Sequence, residues 1–190
     1  MHSFNHFDRA LKVLVLILVL LLAVSACANP PAETLTVVNG FQLTSAAFSE
    51  GETIPTRYTY AMGNQCSGEN YSPPLSWSDT PAETQSFAMT VVDPDGGNWV
   101  HWVLFNIPAD VTELKESLAG LGTGTPGMNS FGAAGWGGPC PPSGTHRYVF
   151  TLAALDTMLE LPENASLDNL TQAMDGHILA QSQLTGIRSR

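Results

Sequence analysis

Between residues 35 and 155 the apolar content of this chain comes in short runs cut apart by glycine and proline, and that pattern excludes most architectures. Runs at 35–38, 41–43, 86–92, 100–107 and 147–155 are rich in Val, Phe, Trp, Tyr and Thr, and each is bounded by Gly, Pro, Asn or Asp. Such residues suit a pleated, half-buried surface, and the flanking residues are turn formers, so each run predicts a strand. With 17 Gly and 13 Pro spread along the chain, an antiparallel sandwich of short strands is favoured over a helical bundle. Helix signals are few. Residues 109–118 predict one or two turns, and Ser166 with Asn169 three positions on predicts the cap of a short helix running to Met174 and ending near Gly176. After Gly176 the period changes: Ile178, Ala180, Ser182 and Leu184 alternate with Leu179, Gln181, Gln183 and Thr185, which predicts a final strand. Residues 118–144 are Gly/Pro-rich and aperiodic. A loop of that length inside a compact domain usually lines a functional site when it is ordered.

The first residues follow a different pattern. Arg9 and Lys12 precede an unbroken apolar run at 13–24, followed by Ser25, Ala26 and Cys27. A charged start, an apolar stretch of about a dozen residues and a small-residue cut site predict an export signal over 1–26; a spanning helix needs about 20 apolar residues. The order Ala23-Val24-Ser25-Ala26-Cys27 resembles a bacterial lipobox, so Cys27 is expected to be the lipidated first residue of the exported protein. Residues 27–34 then form a tether, and 35–190 a single domain. The expected location is the bacterial cell envelope, with the lipid as membrane anchor.

Without the signal the chain carries 5 basic against 16 acidic residues, a net charge of −11, and Lys115 is its one lysine. Binding a phosphate backbone relies on clustered Lys and Arg, so nucleic acid is excluded as a partner. An anion can be held only in a local pocket. Export also bears on the cysteines: with Cys27 assigned to lipid, Cys66 and Cys140 remain as an even pair in an oxidising compartment. Spacing leaves two readings open, a disulfide or two small buried thiols.

Two segments gather ionisable side chains where turns meet strands. DPDGGNWVHW at 93–102 holds Asp93, Asp95 and His101; GGPCPPSGTHRYVF at 137–150 holds His146 and Tyr148. Either Asp alone reads as a turn residue accepting backbone N–H bonds, and a lone His in an apolar strand reads as a core residue. His146 and Tyr148 alternate, so they share a face while Arg147 points to the other. The conjunction, beside glycine turns, points to a polar pocket. Backbone N–H groups at Gly137 and Gly138, with His101, His146 and the Tyr148 hydroxyl, are candidate donors to a phosphate. Asp93 and Asp95 accept only, so they would orient the histidines or meet an ammonium group. A zwitterion engages both sets. Metal-ligand spacing of the His-x-His or HExxH kind is absent, and so is a GxSxG nucleophile elbow. Ser143 reads as a turn residue. No catalytic residue, metal or cofactor is expected.

At these residues the chain resembles the phosphatidylethanolamine-binding protein family, in its bacterial, Raf kinase inhibitor-like branch. Five ordered blocks carry the resemblance: CSGENYSPPLSW at 66–77, SFAMTVVDPD at 86–95, VHWVLFNIPADVTEL at 100–114, FGAAGWGGPCPP at 131–142 and THRYVFTLAALD at 145–156. The resemblance implies a mostly β fold, a β-sandwich of antiparallel Greek-key sheets with a few short helices and a small anion pocket at one end. Carried over by position, that pocket comprises Asp93, Asp95, His101, His146 and Tyr148, with Trp99 as an apolar wall and the turn at Gly138 and Pro139 as a rim. The implied role is binding of phosphate or a phosphoethanolamine-type headgroup without turnover; the implied alternative is inhibition of a kinase or protease through a docked protein partner. Two departures stand out. Gly96-Gly97 replaces the family's usual Ala-Pro after DPD, which predicts a more mobile loop, and Gly186-Ile187-Arg188 replaces a C-terminal Gly-x-Tyr.

Overall fold

A computed structural model of the chain describes residues 40–63, 66–118 and 123–190. The predicted signal, Cys27, the tether and the run at 35–38 lie outside these residues. In chain order the elements are β1 (Gln42–Thr44), a 3-10 turn (Thr56–Tyr58), β2 (Tyr71–Ser72), β3 (Leu75–Ser78), β4 (Ser86–Asp93), β5 (Trp99–Pro108), β6 (Glu113–Leu114), β7 (Ser117–Leu118), β8 (Thr125–Pro126), β9 (Thr145–Leu155), α1 (Leu167–Met174) and β10 (Ile178–Ser189). The fold is mostly β, as expected. Its centre is a five-stranded sheet in the order β10-β9-β4-β5-β8, antiparallel throughout. A three-stranded sheet, β1-β3-β6, and a two-stranded pair, β2-β7, complete it.

The long strands are apolar on both sides because both faces of the central sheet are covered. One face carries Phe87, Met89 and Val91 of β4, Trp102 and Leu104 of β5, and Tyr148, Phe150 and Leu152 of β9. Against it pack Leu43, Leu75, Trp77 and Leu114 from the smaller sheet. Phe87 lies 6.2 Å from Phe41 in a stacked pair and 5.2 Å from Trp77 edge-on. The opposite face carries Ala88, Val103, Phe105, Ala153 and Leu155, covered by Leu170 and Met174 of α1. This helix starts where Ser166 and Asn169 form a reciprocal capping box, each side chain bonding the other's backbone N–H.

Residues 109–118 do not form the predicted helical turns. The chain turns after Pro108, with the Val111 N–H donating to the Pro108 carbonyl, and then gives β6 and β7. Leu114 pairs with Leu75, and Leu118 pairs with Tyr71. Ten residues with β-branched Val111 and Thr112 near the start are too short and too weakly helical to nucleate alone, so strand pairing wins. The final strand is longer than its alternating stretch implies: β10 continues to Ser189 and pairs with β9 along the whole length of β9.

Candidate functional site

Three neighbouring strands converge on one end of the central sheet. Asp93 is the last residue of β4 and is buried. Its Oδ1 accepts the Gly96 N–H at 2.8 Å, closing the turn, while Oδ2 lies 2.7 Å from His146 Nδ1 at the start of β9. A carboxylate accepts only, so the proton of this bond sits on Nδ1, and Nε2 is left for another partner. The glycines replacing Ala-Pro have a definite use in this turn. A Cβ at Gly96 would stand 2.7 Å from Asp93 Oδ2, and Gly97 has φ +72°, a value closed to proline. The turn is closed by that hydrogen bond, with the Asp93 carboxylate packed on the Gly96 backbone.

His101 reaches the same place through a β-bulge. Val91 pairs with Trp102 and Val92 with Val100, which leaves His101 as the extra residue of β5. Strict alternation would send it to the helix-covered face with Val103; a bulge redirects its side chain. Its ring packs edge-on against Tyr148 at 5.0 Å and Phe131 at 5.5 Å. The ring Nδ1 bonds the Gly137 carbonyl at 2.5 Å, and the Gly137 N–H returns a bond to the His101 carbonyl at 2.8 Å. Burial holds the His101 imidazole below its ordinary pKa, although the Gly137 carbonyl and Asp93 pull the other way. Tyr148, wholly buried, has its phenol pushed up, first by burial and then by the Asp93 charge. Its hydroxyl has no hydrogen-bond partner among the described residues.

These side chains share a cavity of about 270 Å³. Asp93, His101, His146 and Tyr148 form its polar part; Trp99, Phe131, Cys140, Pro141 and Pro142 form an apolar wall, with Gly96 at the turn. Trp99 is 42% exposed at the mouth and meets Phe131 edge-on at 5.5 Å. Tyr60 stacks on Phe131 from behind at 4.5 Å. A larger cleft of about 590 Å³ runs along Asp110, Val111, Thr112, Glu113, Leu114 and Lys115, away from all these groups.

Three residues expected in the pocket are placed elsewhere. Asp95 turns to Arg147, accepting from its backbone N–H, Nε and Nη2 at 2.7–2.9 Å. Those bonds from Arg147 hold the carboxyl down at about 2. Gly138 and Pro139 stand behind the cavity: the Gly138 N–H donates to Asn70 Oδ1 at 2.8 Å, and the Pro139 carbonyl accepts from the Tyr60 N–H at 3.1 Å. The amides of Gly137 and Gly138 are therefore spent inside the protein. The wall is made instead by the next three residues, Cys140, Pro141 and Pro142, and by Phe131; the aperiodic stretch at 118–144 pointed to the region but not to these positions. Cys140 is bridged to Cys66, with the Cα atoms 5.9 Å apart. Among the described residues no cluster of three or more His, Cys, Asp or Glu is arranged to hold a metal.

Comparison with known proteins places this geometry. The sequence description of phosphatidylethanolamine-binding proteins matches residues 44–189, a span containing every pocket residue. The chain belongs to the phosphatidylethanolamine-binding protein family. It is 46% identical over 154 residues to a UPF0098 protein of Methanothermobacter thermautotrophicus, covering 78% of this chain and 98% of the relative. It is 39% identical over 160 residues to the UPF0098 protein YbcL of Escherichia coli, covering 77% and 86%. The crystal structure of YbcL, described as a member of the mammalian family, superposes with a TM-score of 0.73 at 38% identity, over 80% of this chain and 99% of that one. A phosphatidylethanolamine-binding protein homologue from Chlamydia trachomatis gives 0.72 at 40% identity, with the same coverage.

Proposed function

We propose that the pocket binds a small phosphorylated or zwitterionic ligand, phosphate or a phosphatidylethanolamine-type headgroup, and does not transform it. The observation that carries this reading is the pair of imidazoles anchored through Nδ1, with an unpartnered Tyr148 hydroxyl beside them. A cavity of about 270 Å³ is at the small end for a ligand site, matching a headgroup better than a larger molecule. Asp93 supplies the negative charge and Trp99 the aromatic face that an ammonium group would meet. The one thiol-bearing residue of the pocket lining, Cys140, is spent in the disulfide. Titration calorimetry with inorganic phosphate and phosphoethanolamine tests it. Saturable heat is expected, lowered about tenfold in affinity by Tyr148→Phe, which removes one hydrogen bond to a charged ligand. No heat with either compound would remove the reading.

The same proposal includes lipid attachment at Cys27 and residence in the cell envelope, which intact-mass spectrometry of the native protein reports directly. A protein partner docked on the pocket mouth is the second reading, favoured by Trp99, a large aromatic left 42% exposed there. Capture from an envelope extract by the wild type but not by Trp99→Ala would support it.

A further inference from the structure

We propose that the pocket takes up a phosphate monoester together with one proton, and so selects monoesters over diesters. This rests on the anion-binding reading above and names its ligand class. Most donors around the cavity are already committed within the protein. The Gly96 N–H is bound to Asp93, the Gly137 N–H to the His101 carbonyl and the Gly138 N–H to Asn70. Pro141 and Pro142 have none to give. His101 and His146 have each committed Nδ1–H, to the Gly137 carbonyl and to Asp93 respectively. What remains for a ligand is the Tyr148 hydroxyl and two Nε2 atoms in the depth of the cavity, with the Trp99 indole N–H and the Cys140 backbone N–H on its wall. At His101, where burial disfavours the charged ring, an imidazole protonated at Nδ1 presents Nε2 as a lone pair, so a bare phosphate oxygen facing it is repelled until a proton lies between them.

The surroundings decide where that proton comes from. Facing His101 are Asp93 from β4, His146 and Tyr148 from β9, and Phe131, Trp136 and Gly137 from the long loop. Behind them Arg188 on β10 and Asp95, held by Arg147, act on Tyr148 in opposite directions. Asp93 favours a charged His101, but burial outweighs it. A monoester, whose second ionisation lies near pH ~6, keeps a hydroxyl that can donate to Nε2 around neutrality. A diester has no such proton and must charge the buried ring. Tyr148 then donates to a remaining phosphoryl oxygen.

Calorimetry on the full chain with phosphoethanolamine, its glycerol diester and inorganic phosphate tests this, at about pH 6 and about pH 8, in buffers of different ionisation enthalpy. Monoester binding at the higher pH should absorb about one proton, and its affinity should fall about tenfold per pH unit above the ligand's own ionisation. The diester should bind at least ~10-fold more weakly at the lower pH, a gap of ~1.4 kcal/mol. His101→Gln, which offers a permanent N–H, should flatten the pH profile and close that gap. If this variant does not fold, the comparison of buffers on the wild type decides alone. Buffer-independent heat with a flat affinity, or equal binding of monoester and diester, overturns the proton-linked selection and leaves anion binding standing. Silence from all three probes overturns both.

Discussion

The two walls of the pocket are built by different means. Asp93, His101, His146 and Tyr148 sit on β4, β5 and β9, inside a ladder in which Val92 pairs with Val149 and Tyr148 with Gly186. Phe131, Cys140, Pro141 and Pro142 sit on residues 127–144, whose one ladder contact is the Met128–Ala134 bridge. That stretch is pinned point by point: the Gly137–His101 pair, Gly138 on Asn70, Trp136 Nε1 on the Tyr58 carbonyl at 3.2 Å, and the disulfide. Hydrogen-bond chemistry, intolerant of misplacement, is on the sheet; apolar contact, more tolerant, is on the loop. The loop wall should therefore depend on single fastenings and the strand wall should not.

Removing one fastening is the largest test. Cys66 is not a pocket residue, so Cys66→Ala frees the wall and changes its surface only at Cys140, which becomes a thiol. The bridge spans 74 residues, a separation for which chain entropy gives about 4 kcal/mol of stabilisation. A drop of that order in unfolding free energy is expected, with anion affinity reduced about tenfold because Pro141 and Pro142 lose their upstream anchor. Unchanged melting and binding after reduction or substitution would erase the distinction between the walls. Asp93→Ala comes next. It leaves the Gly96 N–H and His146 Nδ1 without their acceptor, at a cost of about 1–3 kcal/mol, while the ladder holding the other strand residues persists. Denaturant unfolding with an unchanged m-value is the expected signature.

A smaller effect is read as a slope against pH. His101 folded has a lowered pKa, so below the ordinary imidazole value of about 6.5 the unfolded chain binds a proton that the native state refuses. Stability is then full above about 6.5 and is lost as the pH falls toward the folded value. The melting temperature should decline between about pH 7 and about pH 5, and His101→Phe should remove this part of the decline. A protein that melts at the same temperature across that range would show that His101 is not buried neutral.

The strands were legible and their small partners were not. Runs such as 86–92 and 147–155 carry enough β-branched and aromatic residues to mark a strand, and β4 and β9 differ from them by one or two residues. The two-residue strands β2, β6, β7 and β8 have no period to read. The site was partly legible in the same sense. Paired positions on β9 place His146 and Tyr148 together without any tertiary information, and both line the cavity. His101 needed a count of two residues against one across β4 and β5, which no single sequence contains. Gly137 and Gly138 read as an anion nest because their freedom is visible, whereas the use of their amides by His101 and Asn70 depends on segments far away in the chain.

Asp93 and Asp95 put the same distinction on a scale of two residues. From sequence they are one motif; in the fold one closes a turn beneath the cavity and the other leaves the sheet to grip Arg147. The Asp95–Arg147 pair is well aligned but exposed, and solvent screening leaves such pairs little net effect on stability. Asp95→Asn should therefore leave the melting temperature at neutral pH nearly unchanged and change anion affinity by less than about twofold. Its one clear trace should come in acid: the Asp95 carboxyl, held at about 2, stabilises the fold above the ordinary value of about 3.9 and loses that contribution as the pH falls through the folded one. The substitution should remove this low-pH step and leave the slope from His101 intact. A loss of binding as large as that of Asp93→Ala would mean that both carboxylates serve the ligand and that the turn at 94–97 rearranges to bring Asp95 in.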